Sequence, residues 1–233
     1  MANSDLRDVS LIAVTNHEMR TPLAAIRGFV DMLQRRRAEL SDAEIDEFLQ
    51  VISIQTNRLI RLADDLVTME SLDDASLTIE HEPIVLVPAL QQIVRDLPDG
   101  GERVKLRISA GGPPTIESDA LRLGQVLTNL LTNALKYSDE DSEVTVEVHA
   151  QDDDDLGISV IDHGIGIEAD ERERVFEPFY RTVEGARSAE GSGLGLAIAR
   201  RLIDALGGDI TARPTPGGGT TFRVRLPVHA GAR

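Results

Sequence analysis

The chain has 233 residues, 41% of them hydrophobic but only 3% aromatic, and it contains no cysteine. That length suits one large domain or two modest ones, and the lack of a thiol excludes disulfides, thiolate metal sites and a cysteine nucleophile and fits a reducing compartment. The formal net charge is −16, with −4 on residues 1–72 and −12 on the rest, which argues against a nucleic-acid or anionic-membrane binder.

Residues 5–38 and 43–71 are the most periodic segments and predict two long helices. In the first, Val9, Ile12, Asn16, Met19, Leu23, Ile26, Val30 and Leu33 recur at alternating spacings of three and four. In the second, Ile45, Leu49, Ile52, Thr56, Leu59, Ala63 and Leu66 do the same. Each set reads as a heptad seam. "ELSDAE" between them supplies a turn, with Ser41 or Asp42 as the N-cap. A lone hairpin buries only part of such a seam, so a second copy completing a four-helix bundle is expected. No apolar run is long enough to span a bilayer, and no signal peptide is visible. The expectation is therefore a cytoplasmic chain, or the cytoplasmic portion of a larger, membrane-attached one.

From about residue 77 the period changes. "LTIEHEPIVL", "ERVKLRIS", "SEVTVEVHA", "LGISVID" and "TTFRVRLPV" read as strands, with helices near 86–97, 119–137 and 194–206 between them. "DGGE", "GGPP", "DDDD" and "TPGGG" are turn chemistry, the aspartate run reading as a solvated hairpin tip. The expected fold class is α followed by α/β: a helical hairpin over 1–75, then an α/β sandwich over 76–233.

Five stretches carry side chains that ask for a chemical role. In "TNHEMRTPLAAI", His17 stands beside Glu18 and shortly before Pro22, which has no N–H to give the Glu18 carbonyl and should bend the helix. His17 is either an ordinary surface histidine or a docking nucleophile. In "VLTNLLTNALKYS", Asn129, Asn133 and Lys136 share one helical face. They suit oxygen ligation of a hard cation beside a phosphate, or plain polar surface. "VIDHGIGI" ends a hydrophobic strand in Asp162, then Gly164 and Gly166, where a flat ligand could approach the backbone. "EGSGLGLAIARRL" leads Gly191, Gly193 and Gly195 into a helix, whose N-terminal amides suit phosphate, and it is neither a Walker nor a Rossmann pattern. "GGGTTFRV" sets Thr220 at the start of the last strand.

Taken in order, "HEMRTPL", "NLLTNALKY", "DHGIGI", "FEPFYR", "GSGLGLAI" and "GGGTTF" resemble the successive boxes of sensor histidine kinases of two-component systems, over residues 10 to 227. The resemblance implies a dimerisation and histidine-phosphotransfer hairpin followed by a Bergerat-type ATP-binding domain. It implies ATP and Mg2+ as cofactors, a homodimer, and a response regulator receiver domain and an upstream sensor as partners. By the same resemblance His17 is the phosphoacceptor, Glu18 its base or orienter, and Thr21, in an E-x-x-T pattern, orients water for a phosphatase activity. Asn133 would ligate magnesium with Asn129 in support, and Lys136 and Arg181 would contact phosphates. Tyr137 would flank adenine, Asp162 would accept from its amine with Thr220 assisting through water, and the amides around Gly193, Leu194 and Gly195 would hold the phosphate tail. "RTVEGARSAEGSG" reads as the ATP lid, without a hydrophobic anchor. Two other readings stand beside it: a dimeric ATP-binding scaffold without catalysis, and a phosphatase-dominant bifunctional enzyme.

Overall fold

The computed structural model describes residues 2–73, 77–97, 100–109, 115–150, 154–188 and 191–229, with side chains from Thr15 onward except those of His17, Asp73, Arg187 and Ser188. The chain divides into two compact units, Met1–Glu70 and Ser71–Arg233.

The first unit is a helical hairpin of α1 (Ala2–Arg36) and α2 (Asp42–Asp73). The α1 helix continues through Pro22, whose ring is buried. Ser41 starts α2 through a reciprocal capping box. Its Oγ accepts from Glu44 N–H at 3.3 Å, while Glu44 Oε2 accepts from Ser41 N–H at 2.8 Å and from Ser41 Oγ at 2.7 Å. Those bonds hold the Glu44 carboxyl below its usual range, the hydroxyl of Ser41 contributing most. Of the two N-cap candidates, Ser41 is the one used. Across the hairpin the Phe29 and Phe48 rings meet at 5.1 Å, tilted by 52°.

The seam drawn from spacing mixes two stripes. Leu23 and Leu49 are each 51% exposed, and Asn16, Thr56 and Ala63 are also exposed. The buried face of α2 instead carries Leu62 and Met69, with Phe48 and Gln55 half-buried at the same heptad spacing. Beside it runs a second, exposed stripe of Leu49, Thr56, Ile60, Ala63 and Val67. A helix in a bundle meets two neighbours, so its apolar face is wider than one seam, and periodicity alone does not assign each residue to a neighbour. The side chains of Val9 and Ile12 lie outside the described residues.

The second unit is a two-layer sandwich. A five-stranded sheet runs in the order β2 (Val104–Ile108), β4 (Val144–Ala150), β5 (Asp155–Ile161), β7 (Thr220–Pro227), β6 (Asp209–Pro214). The β2–β4 pair is parallel and the others antiparallel. The strands β1 (Glu82–Val85) and β3 (Thr115–Ser118) form a separate antiparallel pair. Alternation decides the faces. Val144, Val146, Val148, Leu156, Ile158, Val160, Phe222, Val224 and Leu226 are all buried. The helix layer is α3 (Leu86–Arg95), α4 (Ala120–Tyr137) and α6 (Gly195–Ala205), contributing Leu90, Leu127, Leu130, Leu131, Ile198 and Leu202 to the same core. The opposite sheet face is polar and laced by the pairs Arg107–Glu147 at 3.7 Å and Arg225–Asp155 at 3.5 Å.

Two strands, β3 and β6, and a short helix α5 (Val183–Ser188) are additions to the elements read from the sequence. The "GGPP" turn and Asp152 and Asp153 of the aspartate run lie outside the described residues.

Candidate functional site

Strand β5 delivers Asp162 just beyond its last residue, where the chain must turn. The carboxyl is buried, and its Oδ1 accepts from the N–H groups of Gly164 at 2.9 Å and Thr220 at 3.0 Å. The Asp162 N–H in turn donates to the Thr220 carbonyl at 2.9 Å. The side chain is thus fixed between the end of β5 and the start of β7. Burial pushes this carboxyl above its usual range, while the two N–H bonds and the neighbouring His163 act in the opposite sense. Among the described residues no hydrogen bond reaches Oδ2, which leaves a rigidly placed acceptor. Thr220 contributes through its main chain in the described hydrogen bonds, not through its hydroxyl.

Two glycines make this turn possible. A Cβ on Gly164 would run into the carbonyl oxygen of Tyr137, at the end of α4, and one on Gly219, at φ +98°, into the carbonyl oxygen of Asp162. Gly166 sits at φ +75°. Gly219 was not among the residues expected to matter, although the "GGGTTF" box contains it.

From α4, Asn129 and Asn133 are half-buried and Lys136 is exposed. Asn129 Nδ2 donates to the Gly195 carbonyl at 3.1 Å, tying α4 to the first residue of α6. Asn133 has no hydrogen-bond partner among the described residues. Lys136 Nζ donates to the Tyr137 hydroxyl at 3.1 Å and lies 4.6 Å from the centre of that ring, next to Gly191. The Tyr137 ring also borders Gly185, whose carbonyl accepts from Arg181 Nη2 at 3.1 Å. Two ends of the site are thereby linked: Asp162, Gly164, Thr220 and Tyr137 at one, and Lys136, Arg181, Gly191 and the head of α6 at the other.

At that head the Leu194 N–H donates to Ser192 Oγ at 3.3 Å. An oxygen acceptor therefore already sits at one of the amides expected to face phosphate, and Ser192 escaped the sequence reading because a serine between glycines looks like linker. Leu194 itself is buried and anchors the turn. The base of the lid is closed by Phe179, whose N–H donates to the Gly193 carbonyl at 2.9 Å. Phe179 holds φ +63°, in the left-handed region rarely adopted by a residue with a side chain, and Gly193 holds φ +72° with no room for a Cβ against the Phe179 backbone. Beside this joint Phe176 meets Phe222 edge to face at 6.2 Å, and Arg200 lies over Phe176 at 4.3 Å. The Tyr180 hydroxyl donates to Glu171 at 2.7 Å, which raises its pKa. Within the lid Val183 is 68% exposed, and residues 189–190 lie outside the described set.

In the hairpin, His17 belongs to α1, and its side chain lies outside the described residues. Glu18 is half-buried and pairs with Arg58 of α2, Oε2 to Nη2 at 3.5 Å, while Thr21 is exposed. The described residues contain no cluster of three or more His, Cys, Asp or Glu that could hold a metal.

Two family models match the chain. The model for the His Kinase A (phospho-acceptor) domain covers residues 9–75, and that for the histidine kinase-, DNA gyrase B- and HSP90-like ATPase covers 118–230. Sensor histidine kinase WalK of Bacillus subtilis is 37% identical over 225 residues, 93% of this chain and 36% of WalK. Sensor histidine kinase RcsC of Escherichia coli is 34% identical over 223 residues, 94% of this chain and 23% of RcsC. The chain thus spans about a third or less of these relatives. Full-length ShkA, solved in complex with AMPPNP, superposes with a TM-score of 0.68 at 29% identity, over 96% of this chain and 47% of ShkA. With both models matched in chain order and relatives similar over nearly its whole length, the chain belongs to the sensor histidine kinases of two-component systems.

Proposed function

We propose that the protein uses ATP to phosphorylate its own His17 and passes the phosphoryl group to an aspartate of a response regulator receiver domain, acting as a homodimer in the cytoplasm. The observation that carries this reading is Asp162. A buried carboxylate with one oxygen fixed by two N–H groups and the other unclaimed among the described residues suits an exocyclic amine such as that of adenine. Tyr137 would flank the base, and Gly164 and Gly166 let it approach the backbone. Lys136 and Arg181 would offset phosphate charge, and the amides of Gly191, Gly193 and Gly195 would hold the phosphate tail, joined by that of Leu194 once the phosphate displaces Ser192 Oγ from it.

The amide residues fit magnesium. Asn133 has an oxygen with no partner among the described residues, and Asn129 keeps Oδ1 as an acceptor while Nδ2 holds Gly195. When bound, magnesium spreads the charge of the phosphate oxygens. The chain's own residues do the remainder. The neutral His17 ring forms an Nε2–phosphorus bond as the bond to the oxygen of the departing ADP breaks, and the Nδ1 proton is held or taken by Glu18.

Incubation with radiolabelled ATP and magnesium tests the reading. We expect a label that is lost in acid, persists in alkali and is absent from His17→Gln; label that survives acid or appears in that variant would falsify it. A phosphatase activity towards the regulator belongs to the same proposal, supported by Thr21 standing exposed one helical turn from Glu18. Thr21→Ala should autophosphorylate normally yet slow the decay of the purified phosphorylated regulator. Equal decay with both proteins removes Thr21 from that role.

A further inference from the structure

Successive residues on a helix point about 100° apart, so proximity in sequence does not bring the Glu18 carboxylate to the His17 ring. A group off the helix can fix which rotamer Glu18 holds. The structure offers one such group. Arg58, on the facing helix, reaches Glu18 Oε2 at 3.5 Å, with the two side chains only 22% and 25% exposed. The pair sits in the same antiparallel register as Phe29 and Phe48, so Arg58 lies on α2 at the level of the histidine. A half-buried pair is screened less than a surface one. It is therefore a durable restraint on the carboxylate.

We propose that Arg58 is a positioning residue for phosphorylation of His17: it acts through Glu18, holding the carboxylate in the place from which it serves the imidazole. The inference rests on the reading that Glu18 assists His17. The nucleotide contacts proposed above lie in the other unit, so Arg58 should govern the rate of phosphoryl transfer and leave ATP binding alone.

The test is a double-mutant cycle on autophosphorylation, measured in the intact protein as kcat and KM for ATP, with Glu18→Gln and Arg58→Met. Methionine keeps much of the apolar stem of arginine and removes the charge. We expect Arg58→Met to lower kcat about fivefold or more with KM unchanged, and to have no further effect in the Glu18→Gln background. Arg58→Lys should recover part of the rate, and Arg58→Gln replaces Met in the cycle if the latter fails to give a folded dimer. An unchanged kcat in Arg58→Met, or a loss that persists in full when Glu18 is already Gln, overturns the proposal. If Glu18→Gln alone leaves the rate intact, the reading of Glu18 fails instead, and the two failures are told apart within one data set.

Discussion

Asp162, on which the proposed adenine contact rests, is held in place at a cost to stability. Its carboxyl is raised above the ordinary aspartate value by burial, so ionising it in the native protein is unfavourable. The native state holds its proton more tightly than the unfolded chain. The penalty is thus absent below the unfolded-state value, grows as pH rises through the window between the two values, and is fully present above the raised one. Asp162→Asn keeps the Oδ1 acceptor for Gly164 and Thr220 and removes the charge. We expect its thermal midpoint at neutral pH to equal or exceed that of the parent, with the gap closing in acid. ATP affinity should fall ~10–100-fold, since a donor amide replaces the acceptor offered to the base. Calorimetry at two pH values and titration with nucleotide check both halves. A variant that is less stable at neutral pH, or that binds ATP normally, contradicts this account.

At the scale of elements, α2 carries two apolar stripes, one turned into the hairpin and one left outside. Ile60 is 54% exposed and Val67 63%, on the stripe that also holds Leu49. Aliphatic side chains in such a row are expected to be covered by another surface, and the identical stripe of a second copy is the partner that a two-fold bundle supplies. Ile60→Asp with Val67→Asp should shift sedimentation from dimer to monomer and leave nucleotide binding in the second unit intact; a double variant that still sediments as a dimer excludes this stripe from the interface. The two helices were plain in the sequence because their period extends over many turns, but the division into stripes was not, since both share one repeat. The strands β3 and β6 were missed for a related reason. "TIES" offers one inward apolar residue, Ile116, and "DITARP" ends in proline, so neither alternates long enough to stand out from a loop.

Across the whole molecule, the order of chemistry along the chain was more legible than its assembly. Asp162, Gly164, Tyr137 and Thr220 come from three boxes far apart in sequence, and the strand order β2-β4-β5-β7-β6 sets β5 beside β7 so that they meet. Nothing in local spacing announces that adjacency. Lys136, Tyr137, Gly185 and Gly191 meet for a similar reason, where the stretch around α5 and Gly191 comes against the end of α4. What escaped the reading was mostly backbone: Gly219 pressed on the Asp162 carbonyl, Phe179 in a left-handed conformation, and the Ser192 hydroxyl at the Leu194 amide. Those roles depend on φ and on close approach, and side-chain type signals them only weakly.

The joint between Phe179 and Gly193 also sets where this molecule can vary. It fastens to each other the two ends of the segment expected as the lid, by a hydrogen bond and a pair of left-handed residues packed backbone to backbone. The residues between leave and rejoin the domain at this neck and touch it again where Gly185 meets Tyr137 and Gly191 meets Lys136. Lengthening such a loop adds only a logarithmic entropy term, about 0.6 kcal/mol for a doubling, as long as the neck holds. The segment proposed to cover the phosphates is therefore open to insertion and retuning away from its contacts with Tyr137 and Lys136, with the sheet beneath it unchanged.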